Sequence, residues 1–227
     1  MGNRDAVFSR ETVLFLRELG HNNNKQWMDA NRERYRAALV EPFRVLLERL
    51  APAALKLNPR FVVSGRVGEN FSRINRDIRF AADKSPYRTQ MYLFFAEPGA
   101  EGGQLYAGLS AETATCGFRI YGSGRSAPLT QIGRARASAN TRWLERQKRR
   151  LARRYESYWY SSEKGEWTKR SGWPLQPEDW KKLRGWVVRR KLTHQVAIGA
   201  GFDREVALIF RDVYPLLPFT SSPQWKP

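Results

Sequence analysis

Near the start of the chain, apolar positions recur every three or four residues. Thr12, Phe15, Leu16 and Leu19 fall on one side of a helical period, Ser9 precedes them as a cap and Gly20 follows as a stop, so the spacing predicts a helix. The polar string His21, Asn22, Asn23 and Asn24 predicts a turn and a cap for a second helix through Trp27, Asn31, Tyr35 and Ala38. Pro42 suits the first turn of a third, carrying Leu46, Leu47 and Leu50, and Pro52 and Pro59 are expected to end this helical part, 9–55.

From Phe61 the pattern shifts to short β-type runs at Phe61 to Ser64, Tyr92 to Ala96, Gln104 to Leu109 and Ala114 to Tyr121. In the last, Cys116, Phe118 and Ile120 point one way while Thr115, Arg119 and Tyr121 point the other, as a sheet with one buried face requires. Glycine-rich punctuation at Pro98 to Gly103 and Gly122 to Gly124 predicts links between antiparallel neighbours within this sheet-rich part, 61–124. Gly122-x-Gly124 is too weak a pattern for a phosphate loop and reads as a hairpin end.

Helical signals return in a basic part, 134–215: Ala139 to Tyr158, with Leu144, Leu151, Tyr155 and Tyr158 on one stripe, then Asp179 to Lys191 and Asp203 to Val213. The order of helices, sheet and helices, without strand and helix alternating at βαβ spacing, predicts an α+β fold with a mainly antiparallel central sheet, in one domain over 1–227.

Composition narrows the class further. A chain of 227 residues with 41% apolar and 13% aromatic residues is a packed globular protein. Cys116 is its one cysteine, so no intramolecular disulfide can form, and one thiol with two distant histidines, His21 and His194, makes no zinc site. His194 and Cys116 also lack partners at the spacing of a nucleophile pair, and no motif calls for a cofactor. No apolar run approaches a membrane span or a signal peptide, so a cytoplasmic protein is expected, with no membrane partner.

The chemically densest stretch is 73–88. Arg73, Arg76, Arg79 and Arg88 are forks suited to bidentate binding of carboxylate or phosphate oxygens, and Lys84 adds a point charge. Asp77 could orient an arginine or act as a base, and Tyr87 could donate a proton or a hydrogen bond, so an enzyme would use Asp77, Lys84 and Tyr87 in catalysis. The same residue types also make a salt-bridge network in which Asp77 and Asp83 pair with neighbouring arginines. At i, i+3 spacing Arg73, Arg76 and Arg79 share one side of a helix, whereas on a strand Arg76 faces away from the other two. Asn22, Asn23 and Trp27 join the group if the turn after the first helix faces it.

This stretch resembles the signature Arg-x-x-Arg-Asp-x-Arg-Phe, then Lys-x-x-Tyr, of a widespread bacterial family of conserved proteins known as a domain of unknown function. Arg73, Arg76, Asp77, Arg79, Phe80, Lys84 and Tyr87 match it. The opening pattern of Phe8, Ser9, Glu11, Thr12, Phe15, Leu16, Leu19, Asn22, Asn23, Trp27, Asn31 and Tyr35 is similar to the family's first helices. Family members usually carry an Asp-His-Pro-like segment near residue 175, where this chain has Gly172, Trp173, Pro174 and Pro177 with no histidine. The resemblance implies kinship and a polar motif that defines the family. It implies no reaction.

Charge opens a second reading. The chain holds 40 Lys plus Arg against 22 Asp plus Glu, a net +18, and residues 134–191 carry 18 of those cations with 6 acids. Six of the eight tryptophans, Trp143, Trp159, Trp167, Trp173, Trp180 and Trp186, lie in the same window. Basic residues neutralise phosphates and exposed aromatics stack on unpaired bases, so this mixture is what a single-strand-binding groove needs, with Lys148, Arg149, Arg150, Arg153 and Arg154 as its densest point. The alternative is a tryptophan core beneath a solvated arginine face. Three roles therefore stand open from the sequence: a pocket for a small anionic ligand, a nucleic-acid-binding module, and a structural or partner-binding protein.

Overall fold

Ser9 accepts a hydrogen bond from the Thr12 amide while Thr12 accepts one from the Ser9 amide, a reciprocal cap that starts helix α1 (Arg10–His21). The protein is described by a computed structural model over residues 5–98, 103–121, 139–163, 166–222 and 225–226. Asn24 caps α2 (Lys25–Ala30) through the Trp27 amide at 2.9 Å. The expected second helix is broken at Asn31 into α2, α3 (Arg32–Tyr35) and a π-turn, Arg36–Val40, that leads into α4 (Glu41–Leu57). Pro42 sits in the first turn of α4 as expected, but Pro52 does not end it. Pro52 and Glu48 are both exposed, so the i+4 hydrogen bond that Pro52 cannot donate is lost on the outer side of the helix.

Six strands follow: β1 (Gln90–Phe95), β2 (Gln104–Ser110), β3 (Ala114–Tyr121), β4 (Glu156–Glu163), β5 (Glu166–Ser171) and β6 (Leu183–Leu192). They form one antiparallel sheet in the order β1-β2-β3-β6-β4-β5. Four further helices are described: α5 (Thr141–Leu151), α6 (Pro177–Lys182), α7 (His194–Ala197) and α8 (Phe202–Val213), with α9 (Leu216–Ser221) after them. The α+β class holds, with helices at the start, sheet in the middle and helices at the end.

Three expected elements are corrected. Phe61 to Ser64 is not a strand of the sheet, because the buried amide of Asn70 donates to the Val62 carbonyl at 2.8 Å and accepts from Gly65 N at 3.0 Å, so a side chain meets backbone demands that a ladder would otherwise meet. The helix expected over 139–158 stops at Leu151, and residues from Glu156 form β4. The stretch Asp179 to Lys191 is one turn of helix followed by β6, whose Trp186, Val187 and Val188 are residues that favour a strand. The linkers at Gly122 to Gly124 and most of Pro98 to Gly103 lie outside the described residues.

The chain groups into two compact units. The first comprises Met1–Phe95, Ala107–Thr115 and Leu192–Ala207. Its core includes Phe8, whose ring lies 4.9 Å from Phe43 and 5.5 Å from Phe202. The second comprises Ala96–Tyr106, Cys116–Lys191 and Leu208–Pro227. Its core is aromatic: Trp186 meets Phe118, Trp173 and Trp180 edge-on at 5.3–5.8 Å, and Trp143 stacks on Phe219 at 4.4 Å.

Candidate functional site

The arginine-rich stretch is neither helix nor regular strand. Residues 70–76 run antiparallel to 86–94, through a Phe71–Leu93 bridge, a hydrogen bond from Ser72 N to Tyr92 O at 2.9 Å, and an Asn75–Tyr87 bridge. Arg76 N donates to Pro86 O and Arg88 N to Ile74 O, both at 2.8 Å, so the pairing extends to the foot of the loop 77–85.

Two aspartates shape that loop in the way their short side chains favour. Asp77 accepts from Arg79 N at 3.3 Å and Asp83 from Ser85 N at 2.9 Å, each a turn closed two residues on. Asp77 also takes the Arg79 guanidinium in a two-pronged pair at 2.9 and 2.7 Å. The Arg79 hydrogen bond holds the Asp77 carboxyl below its ordinary range. Asp83 is held far lower, by hydrogen bonds from Ser85 first and Arg76 second. The Lys84 amine donates to the carbonyl of Ile78 at 3.1 Å and reaches that of Arg79 at 3.5 Å.

Extended backbone sends residues an odd number apart to opposite sides. Arg73 accordingly lines a cavity of about 280 Å³ with Tyr35, Arg44, Phe71 and Met91. Arg76 lines a different one, of about 340 Å³, with Asn23, Asp83, Ser85, Tyr87 and Arg88. The structure thus brings Arg76, Tyr87 and Arg88 together, places Arg73 elsewhere, and leaves Asp77, Arg79 and Lys84 in the loop, outside the lining of either cavity.

Asn23 fixes the floor of the larger cavity. Its amide donates to Tyr87 O at 2.8 Å and accepts from Tyr87 N at 3.0 Å, imitating a neighbouring strand across a long sequence separation. The turn after α1 therefore does face the motif, while Asn22 bonds back to Glu18 and Trp27 packs 5.5 Å from Phe15. Arg76, with its side chain 25% exposed, is paired with Asp83 and donates to Ser85 O at 3.1 Å. Arg88 is exposed, and its guanidinium has no hydrogen bond or ion pair among the described residues. The two guanidinium charges against one carboxylate leave this cavity electropositive. Phe80 stands 96% exposed at the loop, with the Arg79 guanidinium 6.0 Å from its ring centre.

The basic cluster of the second unit sits on and just after α5, whose Trp143, Leu144 and Leu151 are buried. Lys148, Arg149 and Arg153 are exposed. Arg150 instead donates to Gln147 and to Asp212 O, and Arg154 pairs with the Asp212 carboxylate at 2.9 Å. Tyr155 donates to the same carboxylate at 2.8 Å; burial first, and Asp212 next, push the Tyr155 hydroxyl well above its ordinary range. Of the six tryptophans in the window, Trp143, Trp159, Trp180 and Trp186 are buried, and Trp167 is exposed. No cluster of metal-ligating side chains occurs among the described residues, and no described helix is long and apolar enough to cross a membrane.

Fold and site together define a mixed helix-and-sheet protein whose paired motif lines an arginine-bearing polar cavity. The chain belongs to the DUF2461 family, described as conserved hypothetical protein, whose model matches residues 11–219. No curated protein matches the chain.

Proposed function

We propose that the protein binds a small anion, a phosphate or a carboxylate, in the 340 Å³ cavity between the motif and the turn after α1. The observation that carries this reading is that Arg88, whose guanidinium has no hydrogen bond or ion pair among the described residues, lines the same polar cavity as the half-buried Arg76. Arg88 supplies a fork for two oxygens, and Arg76 adds the remaining charge-assisted donors. Tyr87 contributes to the lining, and Asn23 holds its main chain in place. Asp83 shares Arg76 with the incoming anion and is therefore its competitor. Asp77 and Lys84 are engaged within the loop, so the reading is one of binding rather than of proton transfer by those groups.

Calorimetric titration with inorganic phosphate and with a small dicarboxylate tests it. Binding to the native chain that drops at least about tenfold in Arg88→Ala, with an unchanged melting temperature, supports the site; a two-pronged charged contact of this kind contributes roughly 1.5–3 kcal/mol. Equal affinity in the variant would place the anion elsewhere. Arg79→Ala is the matched control, since its guanidinium is already taken by Asp77.

A further inference from the structure

The second unit carries another surface that the anion cavity does not involve. In the antiparallel register, Tyr158 opposes Val187 and Ser171, Tyr160 opposes Gly185 and Lys169, and Ser162 opposes Trp167. Opposed residues share a face, so these side chains lie together, while Trp159 and Trp186 share the other face and belong to the aromatic core.

Gly185 leaves a gap in this face. A Cβ there would meet the Tyr121 ring at 2.5 Å, so the bare backbone lets Tyr121 lie across β6 toward β4. The result is a row of rings: Tyr121 to Tyr160 at 6.2 Å, then Tyr160 to Trp167 at 5.9 Å, with Tyr158 edge-on to Tyr160 at 5.8 Å. Tyr121 and Trp167, at the two ends, are each 42% exposed.

Cations flank the rings on the same face. Lys169 lies 4.1 Å and Arg189 5.0 Å from the Tyr158 ring centre, and Arg119, two residues from Tyr121 on β3, lies 5.0 Å from that of Tyr106. Among these described cations, Arg189 at 3.3 Å and Lys191 at 3.1 Å share the Glu156 carboxylate, while Arg119 and Lys169 have no ion pair to it. The face is therefore aromatic along its centre and positive around it.

We infer that this face of β3, β6, β4 and β5 binds single-stranded nucleic acid, with unpaired bases on the Tyr121–Tyr160–Trp167 row and phosphates on Arg119, Lys169 and Arg189. Each base has a π-face that an aromatic side chain can stack on whatever its sequence, and the flanking cations follow the backbone. Rings near 6 Å apart are spaced wider than the roughly 3.4 Å rise of stacked bases in a duplex, so the row suits splayed bases rather than a paired helix. The working tryptophan is the exposed Trp167, and the exposed α5 cations Lys148 and Arg149 are a separate set. This inference does not rest on the anion cavity, which belongs to the other unit.

The test uses the full chain with fluorescent oligouridine, oligothymidine and a duplex of equal length, each across salt concentration. Single strands are expected to bind more tightly than the duplex, with affinity falling steeply as salt rises. Trp167→Ala is expected to weaken single-strand binding about tenfold, the effect of losing one stacked base, and Lys169→Glu to weaken it and flatten the salt slope. Lys148→Glu and Arg149→Glu, with the same charge change on α5, are expected to matter several-fold less. Arg88→Ala, which reports on the anion cavity, is expected to leave oligonucleotide affinity unchanged. Absent single-strand binding, indifference to Trp167→Ala, or greater sensitivity to the α5 reversals than to Lys169→Glu would each overturn the inference. So would self-association or a protein ligand that buries Trp167 while oligonucleotides fail to bind.

Discussion

Asn70 and Phe80 show how differently residues of one motif region are used. Asn70 is fully buried and its amide serves Val62 O, Phe94 O and Gly65 N, three backbone groups on two stretches of chain. Asn70→Ala leaves those groups without partners and is expected to cost about 2–4 kcal/mol in urea unfolding. Phe80 is almost wholly exposed, so Phe80→Ala is expected to leave the unfolding midpoint unchanged to within about 0.5 kcal/mol. Asp83 carries a prediction on ligand affinity: Asp83→Asn removes the carboxylate that competes for Arg76 and is expected to raise phosphate affinity several-fold by calorimetry. Because folding lowers the Asp83 pKa, its contribution to stability is complete above the ordinary carboxylate range and is lost only as pH falls well below it. The pairing of Arg76 is therefore expected to be constant from neutral pH down through the usual carboxylate range, as a pH series of arginine NMR shifts would record. At this scale the sequence showed which residues were chemically dense. It could not show that Arg73 and Arg76 face different cavities, because that depends on the chain being extended there. Asn23 was legible as a candidate, but Asn70 was not, since a buried amide that bridges two stretches of backbone leaves no local pattern.

Elements were most legible where a single period dominates. The alternating β3 lies where the spacing places it, and α1 starts at its expected cap, Ser9, but runs through the expected stop at Gly20 to His21. Elements failed where neighbouring patterns mix: apolar and aromatic residues over 155–160 fit a helical stripe as well as a strand, and what decides it is pairing with β5, which follows directly, and with β6, farther along the chain, neither of which a local period reports. Glycine positions in the sheet carry a test at this scale. A Cβ on Gly117 would lie 2.1 Å from Val188 O and 2.7 Å from the Cα of Arg189, both backbone atoms that cannot swing away. Gly117→Ala is expected to destabilise the chain by about 3 kcal/mol, the scale of overpacking, whereas Gly68→Ala, with nothing near its Cβ, is expected to cost only the strain of its φ of +90°. Equal unfolding midpoints for the two variants would mean that β3 and β6 do not approach as closely as described.

For the whole molecule, the +18 charge is not one undivided surface. Part of it is consumed structurally, as in Arg150 and Arg154 on Asp212 or Arg34 on Glu11 and Glu18. Other cations line a polar cavity in one unit and an aromatic sheet face in the other. Composition announced the charge, and only the fold divides it. We propose that Arg76 and Arg88 receive an anion while the other motif cations do not. Residue-resolved NMR of the arginine side-chain N–H groups during titration with inorganic phosphate tests it most directly. Saturable shifts at Arg76 and Arg88, with Arg79 unmoved on Asp77, are the predicted result; shifts at Arg79 or Arg149 with Arg88 silent would contradict it.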